Sequence, residues 1–197
     1  MNLRPRPLLA VAMFALGVVS TPALSQDAGW FIGAGGGYAD AKQGCPPEPF
    51  VPGFACDDKS VAWRAFGGYR FNAYFGYEIG YADLGKITRS FAGDVGTFEA
   101  TAIDALLFVA VPLGQDFSFF VKGGIFSWDF ERTIVGTGAG KANEKGTDTT
   151  YGFGAQYDLG KNLALRLEWQ RYNDVGDVNA FGQTHIEVSL ISAVLRF

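Results

Sequence analysis

Along most of the chain, large apolar side chains alternate one-for-one with small or polar ones. This period of two places successive residues on opposite faces of a β-strand. Eight runs of about ten residues or more carry the alternation: 29–39, 60–70, 74–83, 98–111, 117–130, 149–159, 163–172 and 184–197. They are rich in aromatic and β-branched residues and are bounded by Gly, Pro, Asn and Asp. Helical periodicity is nearly absent. The pattern predicts an all-β domain of eight antiparallel strands.

The connections alternate in length. Asn72-Ala73, residues 112–116 and residues 160–162 are short turns, whereas 40–59, 84–97, 131–148 and 173–183 run to eleven residues or more. Short turns on one side and long loops on the other mark an up-and-down transmembrane β-barrel, with the short side facing the periplasm. A soluble sandwich has no reason to sort its loops this way.

Both a membrane barrel and a soluble one have a polar and an apolar face, so side-chain size must separate them. In 74–83, Phe75, Tyr77, Ile79 and Tyr81 stand opposite Gly76, Glu78, Gly80 and Ala82. In 163–172, Leu163, Leu165, Leu167 and Trp169 stand opposite Ala164, Arg166, Glu168 and Gln170. An eight-stranded barrel has a lumen just wide enough for side chains to fill. Its interior is therefore expected to hold small residues and a few paired charges, with the bulky face against lipid. Trp30, Tyr38, Trp63, Tyr69, Tyr151, Tyr157 and Trp169 lie towards strand ends, where aromatic rings favour the membrane–water interface. Two runs strain the rule. Placing Asp104 inside also turns Leu106 and Phe108 inward, and placing Lys122 inside turns Phe126 and Trp128 inward. A β-bulge in either run, which shifts the register by one, would account for this.

The first residues read as an address label. Arg4 and Arg6 precede an apolar stretch from Leu8 to Val19, and Ala23-Leu24-Ser25 offers a small-x-small cleavage site. Residues 1–25 are thus expected to be a signal peptide and 26–197 a single barrel domain. That domain carries 14 basic against 20 acidic residues, a formal charge of −6, which argues against nucleic acid as a partner. It has no apolar run of 18 residues, so no transmembrane helix is expected. Strands are the other structure that satisfies every backbone group in lipid. Cys45 and Cys56, the two cysteines, fit an oxidising compartment and are expected to form a disulfide within 40–59. Two thiols without a neighbouring histidine make a poor metal site, and neither metal nor cofactor is expected.

Eight charged residues fall on the inward face: Arg64, Arg70, Lys122 and Arg166 against Glu78, Asp104, Asp158 and Glu168. Buried charge is costly unless paired, so the even balance predicts a closed salt-bridge network plugging the lumen. His185, Glu187 and Ser189 share one face of the last run and raise the question of nucleophilic catalysis. Along a strand His185 and Ser189 start about 13 Å apart, too far for a direct hydrogen bond. They are expected to meet lipid headgroups, and no enzyme activity is expected. The glycine runs at 33–37 and 136–140 precede no helix and lack a Gly-Lys-Ser/Thr ending, which excludes phosphate loops.

The segment Gly68-Tyr69-Arg70-Phe71-Asn72, followed by Tyr74-Phe75-Gly76-Tyr77-Glu78-Ile79-Gly80-Tyr81, resembles the second hairpin of the OmpA/OmpX-like outer-membrane barrel superfamily. The opening Gly29-Trp30-Phe31-Ile32-Gly33 and the closing Ala193-Val194-Leu195-Arg196-Phe197 are similar to that family's first and last strands. The resemblance implies the outer membrane of a Gram-negative bacterium, with outer-membrane lipid and lipopolysaccharide as surroundings. It also implies insertion by the outer-membrane assembly machinery, with Phe197 as the assembly signal. The sequence stops at Phe197, without the peptidoglycan-binding domain of full-length OmpA, so a cell-wall tether is not expected. The expected role is structural and surface-interacting, with four extracellular loops as the place for an extracellular ligand. The alternatives are a minor porin for small solutes or ions and, third, a lipid A-modifying enzyme.

Overall fold

The computed structural model describes residues 28–42, 45, 54–91, 93–136, 139–176 and 183–197. The expected signal peptide, residues 1–25, lies outside the described residues. Those residues form only strands: β1 (Gly29–Ala41), β2 (Phe54–Asp57), β3 (Lys59–Arg70), β4 (Phe75–Phe91), β5 (Asp94–Pro112), β6 (Phe117–Val135), β7 (Gly140–Asp158), β8 (Leu163–Val175) and β9 (Thr184–Arg196). Each long strand pairs antiparallel with its neighbours in sequence, and β1 pairs with β9, which closes the ring. The wall therefore has eight strands. The ninth, β2, is a short extension that pairs with the far end of β4.

Short turns at 71–74, 113–116 and 159–162 gather at one end of the barrel. The first shows why this sequence turns there. The Asn72 side chain accepts hydrogen bonds from the amides of Tyr74 (2.8 Å) and Phe75 (2.9 Å), an Asx arrangement that satisfies donors the ladder cannot reach.

At the opposite end two expected loops are largely strand. The segment 84–97 continues β4 and β5 as a hairpin to Phe91 and Asp94, and 131–148 continues β6 and β7 to Val135 and Gly140. The polar residues that read as loop are cross-strand partners in a sheet open to water. Thr97 faces both Thr88 and Thr133, Asp129 pairs Lys145 at 2.6 Å, and Glu131 pairs Lys141 at 3.0 Å. Nineteen residues in β6, at about 3.3 Å each, make a strand of about 60 Å, well beyond the 9–11 residues a tilted strand needs to cross a bilayer. These hairpins project past the apolar zone.

The β5–β6 and β6–β7 ladders run without a break, so neither expected bulge exists. Register shifts occur elsewhere, between Asp83 and Lys86 on β4 and between Tyr172 and Val175 on β8. Leu106, Phe108, Phe126 and Trp128 do point inward and are buried. The expectation of a small-residue interior was too narrow. Phe31, Phe66, Phe108 and Phe120 fill the lower lumen together with Val194, while Phe126, Trp128, Phe130 and Tyr172 fill the upper lumen. They fit because inward glycines stand against them. A Cβ on Gly33 would lie 2.5 Å from Phe66, and one on Gly76 would lie 2.5 Å from Phe108. The outward face is as expected: Ile32, Ile79, Ile103, Val121, Ile125, Phe153 and Leu167 are each more than half exposed.

Candidate functional site

Between the two apolar layers lies a band of charge. Alternation along β3, β4, β5, β6 and β8 turns Arg64, Glu78, Asp104, Lys122, Arg166 and Glu168 inward, and all six are buried. Arg64 grips Asp104 through two hydrogen bonds, Nε to Oδ2 at 3.0 Å and Nη2 to Oδ1 at 2.6 Å. Its Nη1 also donates to Glu78 Oε1 at 2.6 Å. Arg166 donates to the other oxygen of Glu78 at 2.6 Å. Lys122 bridges Glu78 at 3.4 Å and Glu168 at 3.1 Å. Three cations thus meet three carboxylates, and Glu78 touches all three cations.

The structure divides the eight predicted charges. Asp158 sits lower and pairs with Arg196, and Gln156 links it to the central band by donating to Asp158 at 3.2 Å and accepting from Arg166. Arg70 lies near the short-turn end with its guanidinium 5.7 Å from the Phe108 ring centre. The predicted network counted charges alone and left out four neutral members, of which Gln170 already stood on the predicted inward face. Tyr172 donates to Asp104 at 2.9 Å, and Gln170 donates to Thr150 at 3.0 Å and lies 3.5 Å from Asp104. Gln156 is the fourth. Each occupies an inward position of β7 or β8, so strand parity was the available signal.

The band is tied to the layers around it. Arg166 stacks over Phe66 at 4.8 Å and over Phe120 at 4.9 Å, and Arg64 lies 4.9 Å from Phe66. Cation–ring contacts of this kind strengthen when water is absent. Above, the Tyr172 ring meets Phe126 edge-on at 5.0 Å while its hydroxyl reaches the charges below.

Outside the lumen, Cys45 and Cys56 form the expected disulfide, with Cα atoms 5.9 Å apart. It anchors the β1–β2 connection to β2. His185, Glu187 and Ser189 lie on the outward face as expected, and no hydrogen bond joins them among the described residues. His185 Nδ1 instead accepts from the amide of Asp174 at 3.3 Å, where the backbone turns left-handed (φ 51°) at the β8 register shift. Glu187 pairs with Arg171 and Lys42, each at 3.4 Å. Phe197 is 73% exposed, with its amide bonded to the Trp30 carbonyl.

A closed eight-stranded barrel with an outward apolar belt and inward side chains buried in its lumen defines a small transmembrane β-barrel. Residues 25–197 match the OmpA-like transmembrane domain, and the chain belongs to that family. It resides in the outer membrane of a Gram-negative bacterium. Outer membrane protein A of Shigella flexneri is 27% identical over 177 residues, covering 88% of this chain and 49% of the relative. The chain therefore spans about half the length of the curated relatives it matches. Among solved structures, Neisserial surface protein A superposes with a TM-score of 0.63 at 13% identity, covering 87% of this chain and 100% of the other. Ail of Yersinia pestis, solved with the heparin analogue sucrose octasulfate, gives 0.57 at 14% identity, covering 87% and 99%. Identities this low show a shared fold.

Proposed function

We propose that this chain is a structural and surface-interacting barrel whose lumen is plugged, with its long connections and projecting hairpins facing the cell exterior. One observation carries the plug: a balanced layer of three cations and three carboxylates lies between two apolar layers. An ion entering this lumen would have to break buried pairs that lack water to replace them. The outside carries the variable chemistry. Two hairpins reach beyond the apolar belt, and a disulfide braces the first connection. Such a surface is the place for an extracellular ligand. Binding and envelope support are the role this surface favours, since His185, Glu187 and Ser189 share no hydrogen bond among the described residues. Phe197, exposed at the end of β9, serves as the assembly signal.

The test is planar-bilayer conductance of the refolded chain. The wild type is expected to stay silent, and a Phe108→Ala/Phe126→Ala double variant, which thins both seals, is expected to show discrete openings. Stepwise conductance in the wild type would replace the plug with the minor-porin reading.

A further inference from the structure

Below the central band, the short-turn end of the lumen holds a small cavity. Barrels of this kind turn that end towards the periplasm. Arg70 at the end of β3, Arg166 on β8 and Arg196 at the end of β9 line it, together with Phe31, Gln156 and Val194. Strand parity gathers the three arginines, which occupy inward positions of strands that meet around β1. Phe31 and Val194 belong to the lower apolar layer and back the cavity. Phe197, which is exposed, stands at its rim.

These walls are rich in donors and poor in acceptors. A guanidinium carries five N–H donors and no acceptor. Arg166 directs its Nε and Nη2 to the Gln156 oxygen and its Nη1 to Glu78. Gln156 in turn donates to Asp158. Asp158 is the lumen-facing carboxylate at this level, and it lies against Arg196. It also offsets Arg70, which meets like charge from Arg166 and Arg196. Two arginines therefore share one carboxylate inside the mouth. Arg196 still has its Nε and Nη2 buried without a hydrogen-bond partner. The other charges at this end lie towards water. Asp116 and Lys161, of opposite sign, stand exposed on the adjoining turns, and Phe197 carries its carboxyl at the exposed rim.

We propose that this mouth binds a carboxylate group presented from the periplasm, held by Arg70 and Arg196. Both carboxylate oxygens accept and neither donates, which complements a donor-rich wall. A guanidinium meets them through paired charge-assisted bonds. Size narrows the class. The cavity encloses about 30 Å³, room for roughly two or three water-sized atoms. That fits the head of a carboxylate and is too small for a sugar ring. The lining residues lie inside the ring of strands, out of reach of the surrounding lipid. This assignment concerns the periplasmic mouth and is independent of whether the lumen conducts.

Side-chain nitrogen NMR of the refolded full chain in detergent micelles tests it. Sodium acetate is the probe, and sodium chloride at equal ionic strength is the control. Acetate is expected to move the Arg70 and Arg196 Nε–H signals along a saturable curve, and chloride to leave them in place. Arg70→Gln should weaken acetate binding at least about tenfold, the loss of one charge-assisted pair. Asp158→Asn removes the internal competitor at nearly constant size and should tighten acetate by about the same factor. This second variant keeps the test decisive if Arg70→Gln fails to fold. Lys161→Gln, on the exposed turn, should change nothing. Three results would overturn the proposal. The first is no saturable shift in acetate, or an equal one in chloride, which would mean screening alone. The second is an acetate affinity that Asp158→Asn leaves unchanged or weakens. The third is a loss in Lys161→Gln that matches Arg70→Gln, which would put the acetate on the turns.

Discussion

Arg64 and Asp104, forty residues apart in sequence, form a two-bonded ion pair at the centre of the lumen, with both side chains almost wholly shielded from solvent. Neither strand pairs with the other. Arg64 lies on β3 and Asp104 on β5, with β4 between them, and the pair spans the lumen side of that intervening strand. A Cβ on Gly80 of β4 would collide with the Arg64 guanidinium, so this glycine clears its path.

Removing one member should therefore cost more than removing both. Asp104→Ala leaves Arg64 without its two-bonded partner and the Tyr172 hydroxyl without its acceptor, and breaking a buried pair costs about 3–5 kcal/mol. Arg64→Met/Asp104→Leu removes both charges and should cost clearly less than Asp104→Ala alone. Urea unfolding in lipid vesicles, followed by tryptophan fluorescence, measures both. Equal losses in the single and double variants would mean that the pair contributes little beyond packing.

The inward glycines make a second expectation. Gly76→Ala places a methyl group 2.5 Å from the Phe108 ring and 2.6 Å from the Tyr69 carbonyl oxygen. Overpacking of this kind costs about 1–3 kcal/mol. On the outward face, a Cβ on Gly36 finds its nearest atom at 3.8 Å, so Gly36→Ala should be neutral or slightly stabilising. The temperature at which the folded, faster-migrating gel band is lost reads both variants. A large loss for Gly36→Ala would contradict the assignment of faces.

The same glycines explain how far the sequence could be read. Glu78, Arg166 and Glu168 were legible because each alternates with bulky residues over a full strand, and parity then fixes the face. Phe108 and Phe126 resisted, since an aromatic residue fits either lipid or a lumen whose opposite wall is glycine. That complementarity joins residues on different strands, which a one-dimensional pattern does not display. Tyr172 and Gln170 escaped for a related reason: neutral residues complete the hydrogen bonds of a charged cluster without altering its balance. The projecting hairpins were misread as loops because their partners are threonines and opposite charges. Beyond the apolar belt both faces of a sheet meet water, so alternation fades while pairing continues.

The disulfide should matter for the first connection and little for the barrel. Cys45 and Cys56 are separated by 11 positions and lie at the loop end, where Cys56 packs only against the rim of the upper apolar layer. In the loop-entropy model such a closure is worth about 2–3 kcal/mol. The wall is held by backbone ladders and the filled lumen. Cys45→Ser/Cys56→Ser should keep the heat-modifiable gel shift but become sensitive to protease between β1 and β3. Mass spectrometry of the fragments locates the cut. Loss of the gel shift would show that the bridge is needed to form the barrel itself.

Lipid contact on the bulky face yields the sharpest test of orientation. Ile79 follows Glu78 on β4, and Ile125 stands outward on β6; they are 54% and 58% exposed. Both lie at the level of the charged layer, near mid-membrane, where a lysine facing hydrocarbon costs about 2–4 kcal/mol. Ile79→Lys and Ile125→Lys should each lose that much in vesicle unfolding. The cost should shrink towards zero for Val61→Lys, which sits in the aromatic row near the interface. This gradient with depth requires hydrocarbon around the middle of the barrel, since water would make all three substitutions nearly neutral. A flat profile would turn the barrel inside out and remove it from the membrane.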